Sequence, residues 1–409
     1  MKILLLTQYF WPEDFRINEL AYDLAERGHE IVVLTGLPNY PKGSFFEGYG
    51  YFSNLSQEHN RVRVLRCPLV PRGKGRGWQL VLNYVSFALS ASVLGPFLCK
   101  GRFDAIFVYE PSPITIGIPA VVLKWIKRAP VLFWVQDLWP ESLVATGAVR
   151  SPVVLKWVRS LTYWIYRHCD RILIQSRAFE AKIIHGHPVL GAKLRDRIRY
   201  FPNSAEKLYC SVKPSQEFAS KFEFPAGFRI MFAGNIGAAQ DFATILGAAE
   251  RLRENPDIYW LIFGDGREKE WVEREIKRRN LGGAVKLYGR YPLEMMPELF
   301  SHANAMLVTL KQDPVFSVTI PAKVQSYMAC GKPILAALDG EGNRIISEAG
   351  AGLTCPSGNA EALAGIVKQM VALGPDVWSE FSENALRYFK QNFESSRLLD
   401  RLEALLSGE

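Results

Sequence analysis

A chain of 409 residues exceeds what one hydrophobic core ordinarily supports, and its 48% hydrophobic and 22% charged residues exclude a disordered protein, so two folded domains are expected. The formal charge of +8 sits wholly in the first half: residues 1–205 carry 26 basic side chains against 15 acidic ones, and residues 59–103 hold eight basic residues and no acidic one. That surplus points to an anionic partner, nucleic acid or membrane, while six scattered cysteines without CxxC or other metal spacing read as reduced thiols and argue against a zinc site or a disulfide scaffold.

The opening MKILLL is too short an apolar run for a signal sequence and lacks a small-residue cleavage site, so residues 2–7 read as a first strand. Helical spacing over 17–27 ends at Gly28, and 30–36 is the next strand. Strand, helix and strand predict a βαβ unit, the seed of a doubly wound sheet. The loop QYFWPEDFR lies at the carboxyl end of the first strand, where open α/β sheets place ligands; Glu13 and, just beyond the loop, Asn18 become candidates. No GxGxxG occurs there, which counts against a dinucleotide site.

A strand over 61–70 precedes the loop PRGKGRG. Residues 78–99 then run without a charge between Arg72, Lys74 and Arg76 on one side and Lys100 and Arg102 on the other. Three readings stay open: a buried or half-buried helix of the sheet domain, a helix in a membrane interface with its basic flanks on anionic lipid, or a true span. Asn83, the serines and Gly95-Pro96 weigh against the last.

A strand over 104–109, a helix over 114–127 and a strand over 130–136 follow, the last ending in QDLWPES. Polar residues at the end of a buried strand serve a site or a cap, so Gln136, Asp137 and Glu141 are candidates, with a cap or an internal hydrogen bond as the plain alternative for Asp137. Residues 151–168 form an aromatic, basic amphipathic helix whose stripe reads as core or as membrane belt, and 171–176 is a strand.

After Asn203 the stretch 204–227 is polar and proline-containing, as a linker is. Alternation restarts with a strand over 229–233, the loop GNIGAAQDF, a helix over 243–253, a strand over 260–264, a charged helix over 268–280, a strand over 285–289, a helix over 295–303 and a strand over 305–310. Residues 320–335, IPAKVQSYMACGKPIL, read as a helix opening at Pro321, stopping at Gly331 and feeding a buried strand. Lys323 then lies in the first turn, where free amides and the positive helix end favour an anion; the alternative is a solvated lysine on an ordinary helix. The expected class is α/β, with two Rossmann-like doubly wound domains facing across a cleft, 1–203 and 228–376. The linker 204–227 joins them, and polar amphipathic helices in 377–409 cap either one.

The order of these elements, with RGHEIVVLTG, the GNIG turn, FGDG, VKLYGRYP and MACGKPIL followed by AGLTCPSGNAEALA, resembles the retaining glycosyltransferases of family 4, which have the GT-B architecture. QYFWPEDFRINELA, GLPNYPKG and VQDLWPES are similar to the branch that builds bacterial capsule, colanic acid and O-antigen repeat units. The resemblance spans nearly the whole chain and implies a sugar nucleotide on the second domain and an acceptor on the first. The chain also departs from the family. Asn235 and Gln240 stand where an arginine and a lysine clamp the diphosphate, Val318 and Ser326 stand where the E-x7-E glutamates belong, and Gln136 replaces a histidine.

A leaving nucleoside diphosphate gathers negative charge in the transition state, so donors must be aimed at it. The supply expected here is Lys323 as the catalytic cation, the Gly234, Ile236 and Gly237 turn, and Arg344. Asn235, Gln240 and Ser326 stand at the family's donor positions, and Arg290 and Tyr291 at its base-binding turn. On the acceptor side Asp137 orients the acceptor or takes its proton, among Glu13, Asn18, Gln136 and Glu141. No cofactor or metal is expected, since neither DxD nor a histidine cluster occurs. The implied activity is retaining transfer of an N-acetylated sugar from a UDP-sugar to a polyprenyl-diphosphate-linked acceptor, by a peripheral protein on an anionic membrane surface at the cytoplasmic face of the inner membrane. Two rivals are a UDP-N-acetylhexosamine 2-epimerase of the same architecture and a non-catalytic sugar-nucleotide-binding subunit. Nucleic acid is disfavoured, because the basic residues flank apolar aromatic helices instead of forming a recognition surface.

Overall fold

A computed structural model describes residues 1–145, 147, 149–187 and 189–408. The chain divides into two compact units, Met1–Pro202 with Leu398–Glu409, and Asn203–Arg397.

The first unit runs β1 (Lys2–Leu6), α1 (Ile17–Glu26), β2 (Glu30–Gly36), β3 (Ser56–His59), β4 (Val62–Cys67), α2 (Gly77–Leu98), β5 (Ala105–Glu110), α3 (Gly117–Lys127), β6 (Val131–Val135), α4 (Glu141–Ala145), α5 (Pro152–His168), β7 (Arg171–Ile174), α6 (Ala178–His185), α7 (Leu190–Leu194) and β8 (Ile198–Tyr200). Its sheet has the order β3-β4-β2-β1-β5-β6-β7-β8, parallel throughout except for the edge strand β3, which pairs antiparallel with β4. All-apolar runs such as Leu4, Leu5 and Leu6 are buried on both faces, as central parallel strands require. Chain order reverses between β1 and β5, and the carboxyl ends of those strands flank the place where doubly wound sheets bind ligands.

The apolar helix α2 is half-buried. Asn83, Phe87, Ala88, Ala91 and Gly95 face the sheet, and a Cβ on Gly95 would lie 2.9 Å from a Leu34 methyl, so close packing on β2 requires glycine. Trp78, Val81, Leu82, Val85, Leu89, Val93 and Phe97 recur every three or four residues and are exposed, Phe97 at 76%. By length and composition the helix could still cross a bilayer. The aromatic stripe of α5 divides: Tyr163 and Tyr166 are core, while Trp157 stays 74% exposed.

The second unit runs α8 (Gln216–Ser220), β9 (Phe228–Ala233), α9 (Phe242–Arg251), β10 (Ile258–Phe263), α10 (Lys269–Arg278), β11 (Val285–Gly289), α11 (Met296–Ser301), β12 (Ala305–Thr309), α12 (Ala322–Ala329), β13 (Ile334–Ala337), α13 (Gly340–Ala349), β14 (Gly352–Cys355) and α14 (Ala360–Asn392), the last broken at Gly374 with φ +76 ahead of Pro375. Its parallel sheet has the order β11-β10-β9-β12-β13-β14. Alternate residues of β9 enter opposite layers: Phe228, Ile230 and Phe232 pack under α9 and α14, and Met231 and Ala233 under α12.

Two boundary expectations need correction. The stretch 204–227 is no linker: Phe222 is buried and stacks with Phe224 against Phe263, Tyr288 and Tyr291, so its aromatic residues belong to the core of the second unit. The helices in 377–409 also divide. Residues through Arg397 stay with the second unit, whereas α15 (Ser395–Ser407) places Leu398, Leu399, Leu402, Leu405 and Leu406 in the core of the first. Arg27 donates to Asp400 at 2.6 Å and to Glu403 at 2.8 Å there.

Candidate active site

On the second unit the site is built around the start of α12. Pro321 caps the helix in extended conformation; at the other end Gly331 at φ +63 donates to Met328 O (3.0 Å) and Lys332 N to Tyr327 O (3.1 Å), the paired bonds of a Schellman stop. Tyr327 pins the helix to β9, its hydroxyl 3.2 Å from the amide and 3.3 Å from the carbonyl of Ala233. One turn earlier on the same face, Lys323 therefore arrives at Gly234. A Cβ on Gly234 would stand 2.7 Å from Lys323 Cε, and Nζ lies 3.5 Å from the centre of the Phe232 ring. The ammonium is buried and makes no hydrogen bond, and burial pushes it down from 10.5 to about 7. A desolvated lysine at the end of the first strand, beside a glycine turn, is poised to gain a proton when an anion arrives.

Gly234 and Asn235 join Arg290 and Tyr291 around a cavity of about 310 Å³. Gly234 donates to Phe263 O at 2.9 Å, and a Cβ on Gly264 would meet Gly234 O at 1.8 Å, so the two glycine turns need that close approach. Gly264 and Asp265 of the FGDG stretch line the same cavity with Leu293 and Met296; spacing alone assigns none of these to a site.

Other donor candidates are committed elsewhere. The Ile236 amide donates to Asp265 O at 2.8 Å, which takes it out of the anion-binding supply. The Gln240 side chain lies 3.2 Å from both Gly237 O and Asn235 O, bracing its own loop. Ser326 returns its hydroxyl to Ala322 O at 3.2 Å. Arg344 forks onto Glu341 with two 2.9 Å bonds and also reaches Glu348, so its guanidinium is neutralised within α13, and Glu341 raises it above the usual arginine range.

On the first unit Glu13 and Asn18 brace their own loops, each with one buried oxygen that makes no hydrogen bond, Oε2 of Glu13 and Oδ1 of Asn18. Glu13 Oε1 accepts from the amides of Asn39 and Tyr40 at 2.8 and 2.7 Å, burial lifts its carboxyl to about 7, and Asn18 donates back to Glu13 O at 2.7 Å. Together they fix the loops after β1 and β2. Glu141 opens α4 and stands 4.0 Å from Arg159, beside Trp139, Tyr163 and Lys182. The Gln136 backbone is tied down, its amide to Glu110 O at 3.1 Å and its carbonyl to Gln175 at 3.2 Å. Asp137 follows, half-buried, and burial raises it from 3.8 to about 6, within the range of a general base.

The residue that sequence reasoning missed is Glu110, the last of β5. It is wholly buried, neither carboxyl oxygen makes a well-formed hydrogen bond, and burial, then Asp137, holds it well above the usual carboxylate range. Burial thus favours its uncharged form, beside an Asp137 that titrates at about 6 and is mostly ionised at neutral pH. Only its position at the end of an otherwise apolar strand could have flagged it.

Comparison with known proteins gives these elements a family. The Glycosyl transferase 4-like domain family matches residues 15–203, and the Glycosyl transferases group 1 family matches residues 215–388. WbjE of Pseudomonas aeruginosa, named as a glycosyltransferase, is 27% identical over 281 residues, 67% of this chain and 68% of that one. WcaI of Escherichia coli K12, which carries the name of a colanic acid biosynthesis glycosyl transferase, is 24% identical over 343 residues, 81% of this chain and 82% of its own. Among solved structures, HepE of Anabaena in complex with UDP superposes over 100% of both chains with a TM-score of 0.73 at 16% identity, and its complex with UDP-glucose with 0.68. The fold shared with these chains is GT-B.

Proposed function

Since this chain belongs to the glycosyltransferases that pair a glycosyl transferase 4-like domain with a group 1 domain, we propose that it moves a sugar, N-acetylated, from a UDP-sugar to a polyprenyl-diphosphate-linked acceptor, with retention, in bacterial surface polysaccharide assembly. The observation that carries the donor half is Lys323. A buried, unpaired ammonium against Gly234 supplies positive charge that the absent arginine and lysine provide elsewhere in the family. Its attraction to a diphosphate grows as the sugar–phosphate bond breaks and charge collects on the leaving oxygens, which is the condition for catalysis by differential binding. The HepE complexes with UDP and UDP-glucose support uridine diphosphate as the carrier. Arg290 and Tyr291, on the cavity shared with Gly234, hold the base end.

The acceptor half rests on Asp137, which orients the acceptor hydroxyl and takes part of its proton, and on the basic first half with its exposed apolar stripe on α2. Such a surface holds a peripheral enzyme on an anionic membrane at the cytoplasmic face, where a lipid-linked acceptor resides. The test is a thermal-shift screen of UDP-sugars, followed by transfer assays on polyprenyl-diphosphate-linked sugars with the product anomer assigned by NMR. A stabilising UDP-sugar and a product of unchanged anomeric configuration are expected. An epimerised sugar nucleotide formed without acceptor would make the protein a 2-epimerase, and binding without turnover on every lipid acceptor would make it a binding subunit.

A further inference from the structure

The loops that follow β2 and β4 border an open cavity of about 380 Å³ that the donor and acceptor assignments leave unused. Because β2 and β4 are neighbours, the loops meet: Gly73 donates to Gly43 O at 2.9 Å. Both glycines have left-handed φ, +82 at Gly43 and +56 at Gly73, and a Cβ on Gly43 would stand 1.8 Å from Gly73 O, so no larger residue fits. The walls carry Lys42, Lys74, Arg76 and Ser44, and no acidic residue. None of the three cations is ion-paired among the described residues.

The rim is held rigid from below by the one asparagine of the apolar helix. Asn39 Oδ1 accepts from Arg72 N at 3.0 Å and from Asn83 Nδ2 at 3.3 Å, Asn83 also donates to Val70 O at 2.6 Å, and Gln8 donates to Asn83 Oδ1 at 2.8 Å. The Arg72 guanidinium turns inward to Tyr9, at 2.7 Å, and over Tyr40, so it belongs to the scaffold while Lys74 and Arg76 remain for a ligand. One residue beyond Arg76 the helix α2 begins. Its positive end adds to the cavity, and from Trp78 to Phe97 its exposed apolar stripe runs for roughly 30 Å away from it.

A free phosphate has no use for the stripe, and a phospholipid headgroup in a bilayer has no use for a glycine-walled cavity. We propose that this cavity binds the diphosphate of a prenyl-diphosphate amphiphile, with the hydrocarbon chain lying along the α2 stripe. The site gives the lipid-linked acceptor of the proposed function a seat, and rests on that reading for its substrate, though its chemistry can be tested without any donor.

The experiment measures binding of farnesyl diphosphate, farnesyl monophosphate, farnesol and inorganic pyrophosphate to the full chain by calorimetry. Farnesyl diphosphate should bind at least tenfold tighter than either the monophosphate or pyrophosphate. The double variant Lys42→Ala/Lys74→Ala should bring the diphosphate-to-monophosphate ratio close to one. Leu89→Asp, on the stripe, should weaken both prenyl probes alike and leave the ratio intact. The double variant should keep its farnesyl monophosphate affinity within about twofold of native, which a general loss of fold would not allow. A native ratio near one, a ratio unmoved in the double variant, pyrophosphate binding as tightly as farnesyl diphosphate, or phosphatidylglycerol vesicles displacing it equally well would each overturn the proposal. The expected binding with no sugar transfer to any lipid acceptor would sink the proposed function alone; transfer with an unmoved ratio would sink the cavity alone.

Discussion

Lys323→Met removes one ammonium and keeps most of the packing against Phe232 and Gly234, so it separates charge from shape. The fall from 10.5 to about 7 is a cost the folded protein bears for holding this cation out of water. At about 1.4 kcal/mol for each tenfold change in proton affinity, its ceiling is ~5 kcal/mol, and local relaxation leaves an observable part of at least ~1 kcal/mol. In a unit of this size that is a rise in Tm of roughly 2–4 °C. The sign follows from proton binding: between about 7 and 10.5 the unfolded chain holds a proton on Lys323 that the folded chain has released, so native stability rises with pH across that window. The variant lacks that rise. Scanning calorimetry should find Lys323→Met more stable than the native protein at and below neutral pH, with the gap closing as pH climbs toward 10.5. Turnover should fall at least about tenfold, ~1.4 kcal/mol of transition-state binding, and UDP should stabilise the variant less than the native chain. A variant less stable at neutral pH, or one with unchanged turnover, refutes the reasoning.

Three further outcomes follow from the first unit and α13. Glu110 keeps a proton in the fold that the unfolded chain gives up above its ordinary 4.5, so native stability declines as pH rises past that value and Glu110→Gln does not share the decline. The melting difference between variant and native should therefore widen from pH 5 to pH 8, and a constant difference removes the buried neutral acid. With Asp137 titrating at about 6, kcat/KM of the native enzyme should fall on the acid side of that value, and Asp137→Asn should lose about tenfold or more above it; a variant with native rates at all pH values returns Asp137 to a structural role. Arg344 is spent on Glu341 and Glu348, so Arg344→Ala should change the KM for the UDP-sugar by less than about twofold, and a tenfold rise would put the guanidinium on the donor.

What the sequence revealed was whatever repeats or punctuates. The βαβ alternation, the Gly28 and Gly331 stops and the charge-free α2 are local signals with local causes, and all are present where the pattern puts them. Partners are not local. Nothing in residues 236–240 says that the Ile236 amide is satisfied by Asp265, or that Gln240 folds back on its own loop. The linker reading of 204–227 failed because proline and charge dominate the composition, whereas three phenylalanines decide the packing. Glu13 and Asn18 were singled out because they follow a strand, and nothing local says that they also brace the neighbouring loops. The first-turn position of Lys323 follows from a helix start that the sequence marks, whereas its approach to Gly234 depends on the Tyr327 bond to Ala233, which no local pattern announces.

The return of α15 to the first unit bears on how the protein is made. Leu398, Leu399, Leu402, Leu405 and Leu406 complete a core that also contains Ile17, Leu24 and Ile31, so a ribosome must translate the whole of residues 203–397 before the first half can finish folding. During that interval the α1 face stands open, with Arg27 lacking Asp400 and Glu403, while every residue of the second unit, contiguous in sequence, has been translated. A chain stopped at residue 397 should show a protease-resistant second unit and a first unit that is cleaved readily until a peptide of residues 395–408 is supplied.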